Sequence, residues 1–480
     1  MPEEKLTDVY LEITDENRKM IEDIRDKIII DALAEDDDDD NDEGPSPKIR
    51  RTVEPISQQS SAPVETPILT PFQIAFYQRN HKMVRKDSES SCSSDDSHQA
   101  EDYTLANDAI VTKYGVAAEI TNAALKEVIA NIKEGAVVGD LCDLGDKFIV
   151  ERTSKLYKKE KNLTKGIAMP TCISVDNCIC HFSPLRSEAP VLLKNGQVVK
   201  IDLGTHIDGL IATAAHTVVV GASKTNKVTG KIADLIRGTH DALEVAIRSL
   251  RPETQNMDVT KNIDKVAAEY GITPIENMVS HQLERNEIDG EKQIIQNPGE
   301  KQRSEVEKVK IEKHEAYAID ILFSTGAGKT KDLDTRTTIF KKNESVQYQL
   351  KMKASRVFYT ELNKVHGPMP FSLRGFEEEV KAKMGVVECE KYGLLSGYPV
   401  LYEKEGEFVA QFKATVLVMP NGLLKITGLP LDTDVYQSET TLKDPELVTV
   451  FKSALKPKKK KDAAKKNAAA APAPTPAKKA

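Results

Sequence analysis

The stretch VVKIDLGTHIDGLIATAAHTVVVG, Val198 to Gly221, constrains this chain more than any other. β-Branched and apolar residues flank Asp208-Gly209, a dipeptide suited to the left-handed conformations of a two-residue hairpin turn, so two antiparallel strands are expected. That turn sets the register: Ile207 faces Leu210, Gly204 faces Thr213, and Asp202 faces Ala215. Asp202 and Thr213 then share a sheet face as diagonal neighbours roughly 7–8 Å apart. A carboxylate on an apolar strand needs a partner. Two bridged divalent ions about 3.5–4 Å apart would want a carboxylate from both positions, and the second holds a threonine.

The surroundings of the hairpin repeat. TLANDAIVTKYGVAAEITNAALKEVIANI and VGDLCDLGDKFIVERTSKLYKKEK have helical periodicity, and the strand-like GIAMPTCISV and CICHFSP precede the hairpin. A second pair of helices, TGKIADLIRGTHDALEVAIRSL and DVTKNIDKVAAEYG, leads to strand-like IENMVSHQLERNEI, AYAIDILFST and EFVAQFKATVLVMPNGLLKITG. Two halves of one element order predict a duplicated α+β body over residues 101–445 whose strands meet in a shared sheet. Residues 330–402 interrupt the second half and carry helices of their own in SRVFYTELNKV and LRGFEEEVKAKMGVVE, the pattern of an inserted subdomain.

Charge separates this body from its ends. Of the net −8, residues 1–100 contribute −12 and residues 452–480 contribute +9. Residues 1–100 are expected to be mostly disordered: EDDDDDNDEGPSP repels itself, and DSESSCSSDDS reads as a phosphorylatable linker. One amphipathic helix is expected there, with Met20, Ile24, Ile28 and Leu33 at roughly helical spacing. The basic clusters PKIRR and KMVRK read as solvated loop, with nuclear import as the alternative. Residues 446–480 read as a basic disordered tail in which Lys456, Lys458, Lys459, Lys460, Lys461, Lys465 and Lys466 can neutralise phosphates without reading sequence. Two further clusters are candidates for RNA contact: Lys155, Lys158, Lys159, Lys161 and Lys165, and Lys351, Lys353 and Arg356 in the insertion. A solvated helix face is the competing reading of both.

Other features exclude function classes. No window reaches the roughly 18 apolar residues of a membrane helix, and Met1 opens an acidic segment unlike a signal peptide, so an intracellular chain is expected. Six cysteines without regular spacing suit a reducing compartment. Cys178, Cys180 and His181 lack the second ligand pair of a metal clip and read as strand residues. STGAGKT would need glycine at Phe323 to be a phosphate-binding loop and reads as a strand-end turn.

His281 in SHQLERN and Asp320 in YAIDILFSTG lie near strand ends in the second half and, with Asp202 and His181, could form a cleft constellation or be satisfied structural residues. The segments VKIDLGTHIDGLIATAAHTV, SHQLERN, EAYAIDILFSTG and EFVAQFKATVLVMP resemble the metal-site segments of type II methionine aminopeptidases over residues 103–445. That resemblance implies the pita-bread (creatinase-like) fold, with pseudo-twofold halves and a helical insertion. It implies two metals held by two Asp, one His and two Glu. Asp202 matches the first Asp and His281 the His; Asp320 stands for a Glu, Thr213 for the second Asp, and Lys413 for the last Glu. His181 resembles a substrate-side His, and Asp289 replaces the second.

Two carboxylates and a lysine in place of four carboxylates imply that no dinuclear site forms and no cofactor is needed. Lys413 is expected to pair with Asp202 and Asp320 in a small polar core. VTKYG, KKEKNLTKGIAMPTCISVDNCICHFSPL, SHQLERNEIDGEKQIIQNP, LKMKASR, MGVVECEKYGLL and LYEKEGEFVAQFKATVLVMPNG are similar to a narrower group, the proliferation-associated, ErbB-binding family. That resemblance implies a non-catalytic peptidase-like protein that binds structured RNA, ribosomal RNA and the large ribosomal subunit. It also implies signalling or transcription partners, no membrane partner, presence in cytoplasm and nucleus including the nucleolus, and effects on growth, translation and transcription. The family's pattern starts near VTKYG, which leaves the N-terminal extension outside it, and Leu447–Phe451 does not fit a co-regulator motif L-x-x-L-L. The alternatives are an active methionine aminopeptidase with one metal at Asp202, His281 and Asp320, and a peptide-binding adaptor.

Overall fold

The computed structural model describes residues 103–299, 303 and 306–456. The expectations for residues 1–100 and for the tail beyond Lys456 fall outside these residues. Among the described residues, no helix is long and apolar enough to cross a membrane.

The first half opens with α1 (Asp108–Ala130) and α2 (Val138–Ser154), followed by β1 (Lys165–Val175), β2 (Cys178–Cys180), β3 (Val198–Ile207) and β4 (Leu210–Val219). Asn107 caps α1 through a side-chain bond from the Ala109 amide. The short β5 (Val228–Thr229) leads to α3 (Gly230–Ser249) and α4 (Asn256–Tyr270), which Gly271 ends in a left-handed conformation. The second half continues through β6 (Thr273–Pro274), β7 (Val279–Leu283), β8 (Gln293–Ile295) and β9 (Glu315–Ser324).

The interruption holds β10 (Lys331–Asp332), β11 (Ile339–Lys342), α5 (Lys353–Val365), β12 (Phe371–Ser372), α6 (Glu379–Lys391), β13 (Leu395–Gly397) and β14 (Leu401–Tyr402). The chain then returns through β15 (Val409–Met419), β16 (Gly422–Lys425), β17 (Tyr436–Gln437) and α7 (Pro445–Phe451).

The hairpin register is the one expected from Asp208-Gly209, with Ile207 opposite Leu210, Gly204 opposite Thr213 and Asp202 opposite Ala215. The principal sheet runs β1-β3-β4-β15-β9-β7-β8, with β16 paired to β15 and β6 to β9. The halves meet where β15 pairs with β4, at Lys413 opposite Ala215. Packing explains the apolar face opposite Asp202 and Lys413: α1 and α2 share a core cluster with Ile201 and Leu203 of β3, and α3 and α4 share one with Phe412 and Ile319, which the strand pairing puts on the same face as Leu203. The insertion has a separate core around Phe358, Phe371 and Phe376 and stays attached to the first half, because β14 pairs with both β10 and β2.

The tail boundary at 445/446 needs correction. α7 spans Pro445–Phe451, Asp444 caps it, and Leu447 is buried in the core shared by α3 and α4. The basic run begins only after Phe451, and Leu447, Val450 and Phe451 follow the i, i+3, i+4 spacing of one helix face, which packs on that core.

A buried lysine at the seam

Adjacent rows of the principal sheet assemble the site. One row aligns Cys172, Asp202, Ala215, Lys413 and Asp320 on β1, β3, β4, β15 and β9. The next places Thr213 beside Thr415, whose hydroxyl accepts from the Thr213 amide, then Ala318 and His281. Strand pairing therefore gathers the five positions singled out from the sequence.

Lys413 is 9% exposed and Asp202 4%. The Lys413 ammonium donates to Asp202 Oδ2 at 2.6 Å and lies 3.0 Å from Asp320 Oδ2. Gln411, two residues along β15, donates its amide N–H groups to both Asp320 oxygens at 3.0 and 3.1 Å. Burial alone would discharge Lys413, but Asp202 and then Asp320 outweigh it and hold the ammonium well above its ordinary value. Burial pushes the Asp320 carboxyl up to about 6, against the pull of Lys413. Burial lowers His281 to about 4 and also lowers His181, so both rings are neutral at pH 7. His181 ends β2 in a left-handed conformation, meets the Pro399 carbonyl at 3.1 Å through Nδ1 and packs edge-on against Tyr398.

Two participants escaped sequence reasoning. Gln411 was detectable as the residue two before Lys413, hence on the same face of one strand. Lys341 was not, because β11 reaches the cleft only through the insertion. Its ammonium bonds both Glu287 and Asp289, so the acid expected from the sequence at a substrate-side position is neutralised from within. Burial pushes Glu287 up to about 7; Asp289, although buried as well, is held low by its hydrogen bond with Glu287 and by Lys341.

The RNA candidates separate by environment. Lys155, Lys158, Lys159 and Lys161 are exposed beyond α2, with Lys155 tied to Glu151 at 2.8 Å. Lys165 differs: its ammonium turns back to the Leu156 carbonyl and closes the loop between α2 and β1. Lys351, Lys353 and Arg356 are exposed at the start of α5, where Arg356 donates to the carbonyls of Leu350 and Lys351. Lys456 is exposed, whereas Lys458, Lys459, Lys460, Lys461, Lys465 and Lys466 lie outside the described residues. At the former phosphate-loop candidate, the Gly328 amide donates to Glu403 and the Thr325 hydroxyl to Glu407, so protein carboxylates take the donors an anion would use.

The fold and the ligand positions define a pita-bread protein of the peptidase type, and the profile of metallopeptidase family M24 matches residues 112–328. The chain belongs to the ErbB-3-binding and proliferation-associated protein family. It is 46% identical over 376 residues to ErbB-3 binding protein 1 of Arabidopsis thaliana, covering 78% of this chain and 93% of that protein. Proliferation-associated protein A of Dictyostelium discoideum is 44% identical over 365 residues, covering 76% of this chain and 93% of the relative. Among solved structures, a thermophilic Arx1 superposes with a TM-score of 0.68 at 30% identity, covering 73% of this chain and 99% of that one.

The residues present do not fit the paired metals of an M24 peptidase. The Lys413 ammonium already bonds the carboxylates that would face a cation, and its charge repels one. Thr213 supplies a neutral hydroxyl that is buried with no hydrogen-bond partner among the described residues. No group of three or more His, Cys, Asp or Glu among those residues is placed to hold a metal ion.

Proposed function

We propose that this protein is a catalytically silent member of the peptidase fold that works by binding RNA and the large ribosomal subunit. In this role it regulates growth, translation and transcription in the cytoplasm and the nucleus, including the nucleolus. The observation that carries the loss of catalysis is the Lys413 bridge between Asp202 and Asp320, which puts a fixed ammonium where a peptidase needs an activated water. The same bridge disfavours a one-metal aminopeptidase at Asp202, His281 and Asp320. Membership of the family and the exposed cations Lys158, Lys161, Lys351, Lys353 and Lys456 support a polyphosphate partner over a peptide-binding adaptor.

The test is co-sedimentation of the full chain with purified large ribosomal subunits across a salt series, alongside an assay of Met-initiated peptides in Co²⁺ or Mn²⁺. Binding that weakens steeply with salt, with no methionine release, is expected. Salt-independent binding would favour the adaptor, and sustained turnover would restore the peptidase.

A further inference from the structure

The outer face of α6 is apolar where a surface helix should be polar. Val380, Met384 and Val387 are 62, 55 and 57% exposed and follow the i, i+4, i+7 spacing of one stripe. The opposite face carries Ala382, Val386 and Cys389 into the core of the insertion, so the exposed stripe is not needed to hold the helix in place. The neighbouring α5 packs closely on α6, where a Cβ added at Gly385 would meet Phe358 at 2.4 Å. Cations dominate α5 and its approach: Lys351, Lys353, Arg356 and Lys364 against the single acid Glu361. An apolar stripe beside a basic helix asks for an occupant that is apolar on one edge and acidic elsewhere.

This chain carries such a segment itself. Residues 15–43 hold fourteen Asp and Glu against four Lys and Arg, a net charge of −10, and Met20, Ile24 and Ile28 recur every fourth residue. Those three would lie along one edge of a helix, at nearly the spacing of the α6 stripe. Reach is no obstacle, since the seventy positions from Leu33 to Tyr103 span up to roughly 230 Å when extended. The alignments with ErbB-3 binding protein 1 of Arabidopsis thaliana and proliferation-associated protein A of Dictyostelium discoideum cover 93% of each relative but only 76–78% of this protein.

We propose that the N-terminal segment 15–43 docks in cis on the insertion, its Met20, Ile24 and Ile28 edge on Val380, Met384 and Val387 and its acids beside α5. The acidic extension then covers the apolar stripe of α6 and the basic flank of α5, away from the exposed Glu377 and Glu378 that precede Val380, and competes with any partner for them.

The test uses the full chain at low concentration and its Ile24→Asp, Ile28→Asp variant. Carbodiimide coupling should join carboxylates of residues 15–43 to Lys353, Lys364 or Lys391 within the monomer, and the variant should lose these cross-links. Hydroxyl-radical oxidation of Met384 should run several-fold faster in the variant, approaching that of Met352, which is 45% exposed. Equal Met384 rates in both proteins would overturn the proposal. So would cross-links confined to dimers, which point to a second copy, or directed to Lys458–Lys461, which point to the basic tail.

Discussion

Lys413 Nζ lies 2.6 Å from Asp202 Oδ2 although 211 positions separate the two residues, and the bond crosses the seam between the halves of the sheet. Lys413→Met removes the ammonium that bridges Asp202 and Asp320 inside the sheet, a change of the kind that costs about 3–5 kcal/mol. Urea unfolding should show this loss. Asp202→Asn and Asp320→Asn added to Lys413→Met should recover a large part of it, because the residual charges disappear. A triple variant no more stable than Lys413→Met would show that packing, not charge, holds the seam.

Restoring the ligand set should restore an ion site. In Thr213→Asp, Lys413→Glu the positions 202, 213, 320 and 413 carry four carboxylates beside the neutral His281. Mn²⁺ retained after desalting, measured by elemental analysis, should rise well above that of the parent chain. The melting temperature of this variant should climb with Mn²⁺ concentration, since an ion that binds only the folded state stabilises it. A variant indistinguishable from the parent in both measurements would mean that strand geometry, not ligand loss, prevents binding.

Acid should destabilise the domain through histidines buried in the neutral form. Burial lowers His206 to about 4, His216 to about 3 and His366 to about 4. Between those values and the ordinary 6.5 the unfolded chain binds more protons than the folded one, so stability is lost as pH falls. Each such group contributes a slope of about 1.4 kcal/mol per pH unit within its window. Asp320 works the other way: its raised value makes the folded state take up a proton first between about 4 and 6, adding stability as pH falls. With four histidines, His281 among them, against Asp320 and Glu287, the latter raised to about 7, urea midpoints should decrease from pH 7 to pH 5. His216→Asn should flatten that dependence.

The lysines after α2 should divide by role. Lys165→Ala should lower stability, because the bond to the Leu156 carbonyl closes the loop there. Lys158→Ala and Lys161→Ala should leave unfolding unchanged, within about 0.5 kcal/mol, as exposed substitutions do. On the proposed function, the latter pair should weaken RNA retention and reduce its salt dependence. Filter binding at two salt concentrations together with thermal melts separates these effects.

Much of the site was legible because it is built from regular strands. The Asp208-Gly209 turn dictated the pairing of Asp202 with Ala215, and hence its diagonal relation to Thr213, from local geometry alone. The approach of Lys413 to both acids came only through family resemblance: β15 meets β4 and β9 across large sequence separations, and no local pattern announces such a register. Lys341 stayed hidden for the same reason, compounded by its position in the insertion. The end of the folded body was misplaced because lysines dominate the composition after residue 451, whereas Leu447 in the short α7 belongs to the core.

The cation that joins the two halves of the sheet is part of the polypeptide. A metal ion in that position would exchange with its surroundings and could be stripped by a chelator. The Lys413 ammonium is tethered by its own strand, so its local concentration at Asp202 and Asp320 is set by covalent geometry. The seam is therefore closed as the chain folds, with no dependence on metal supply.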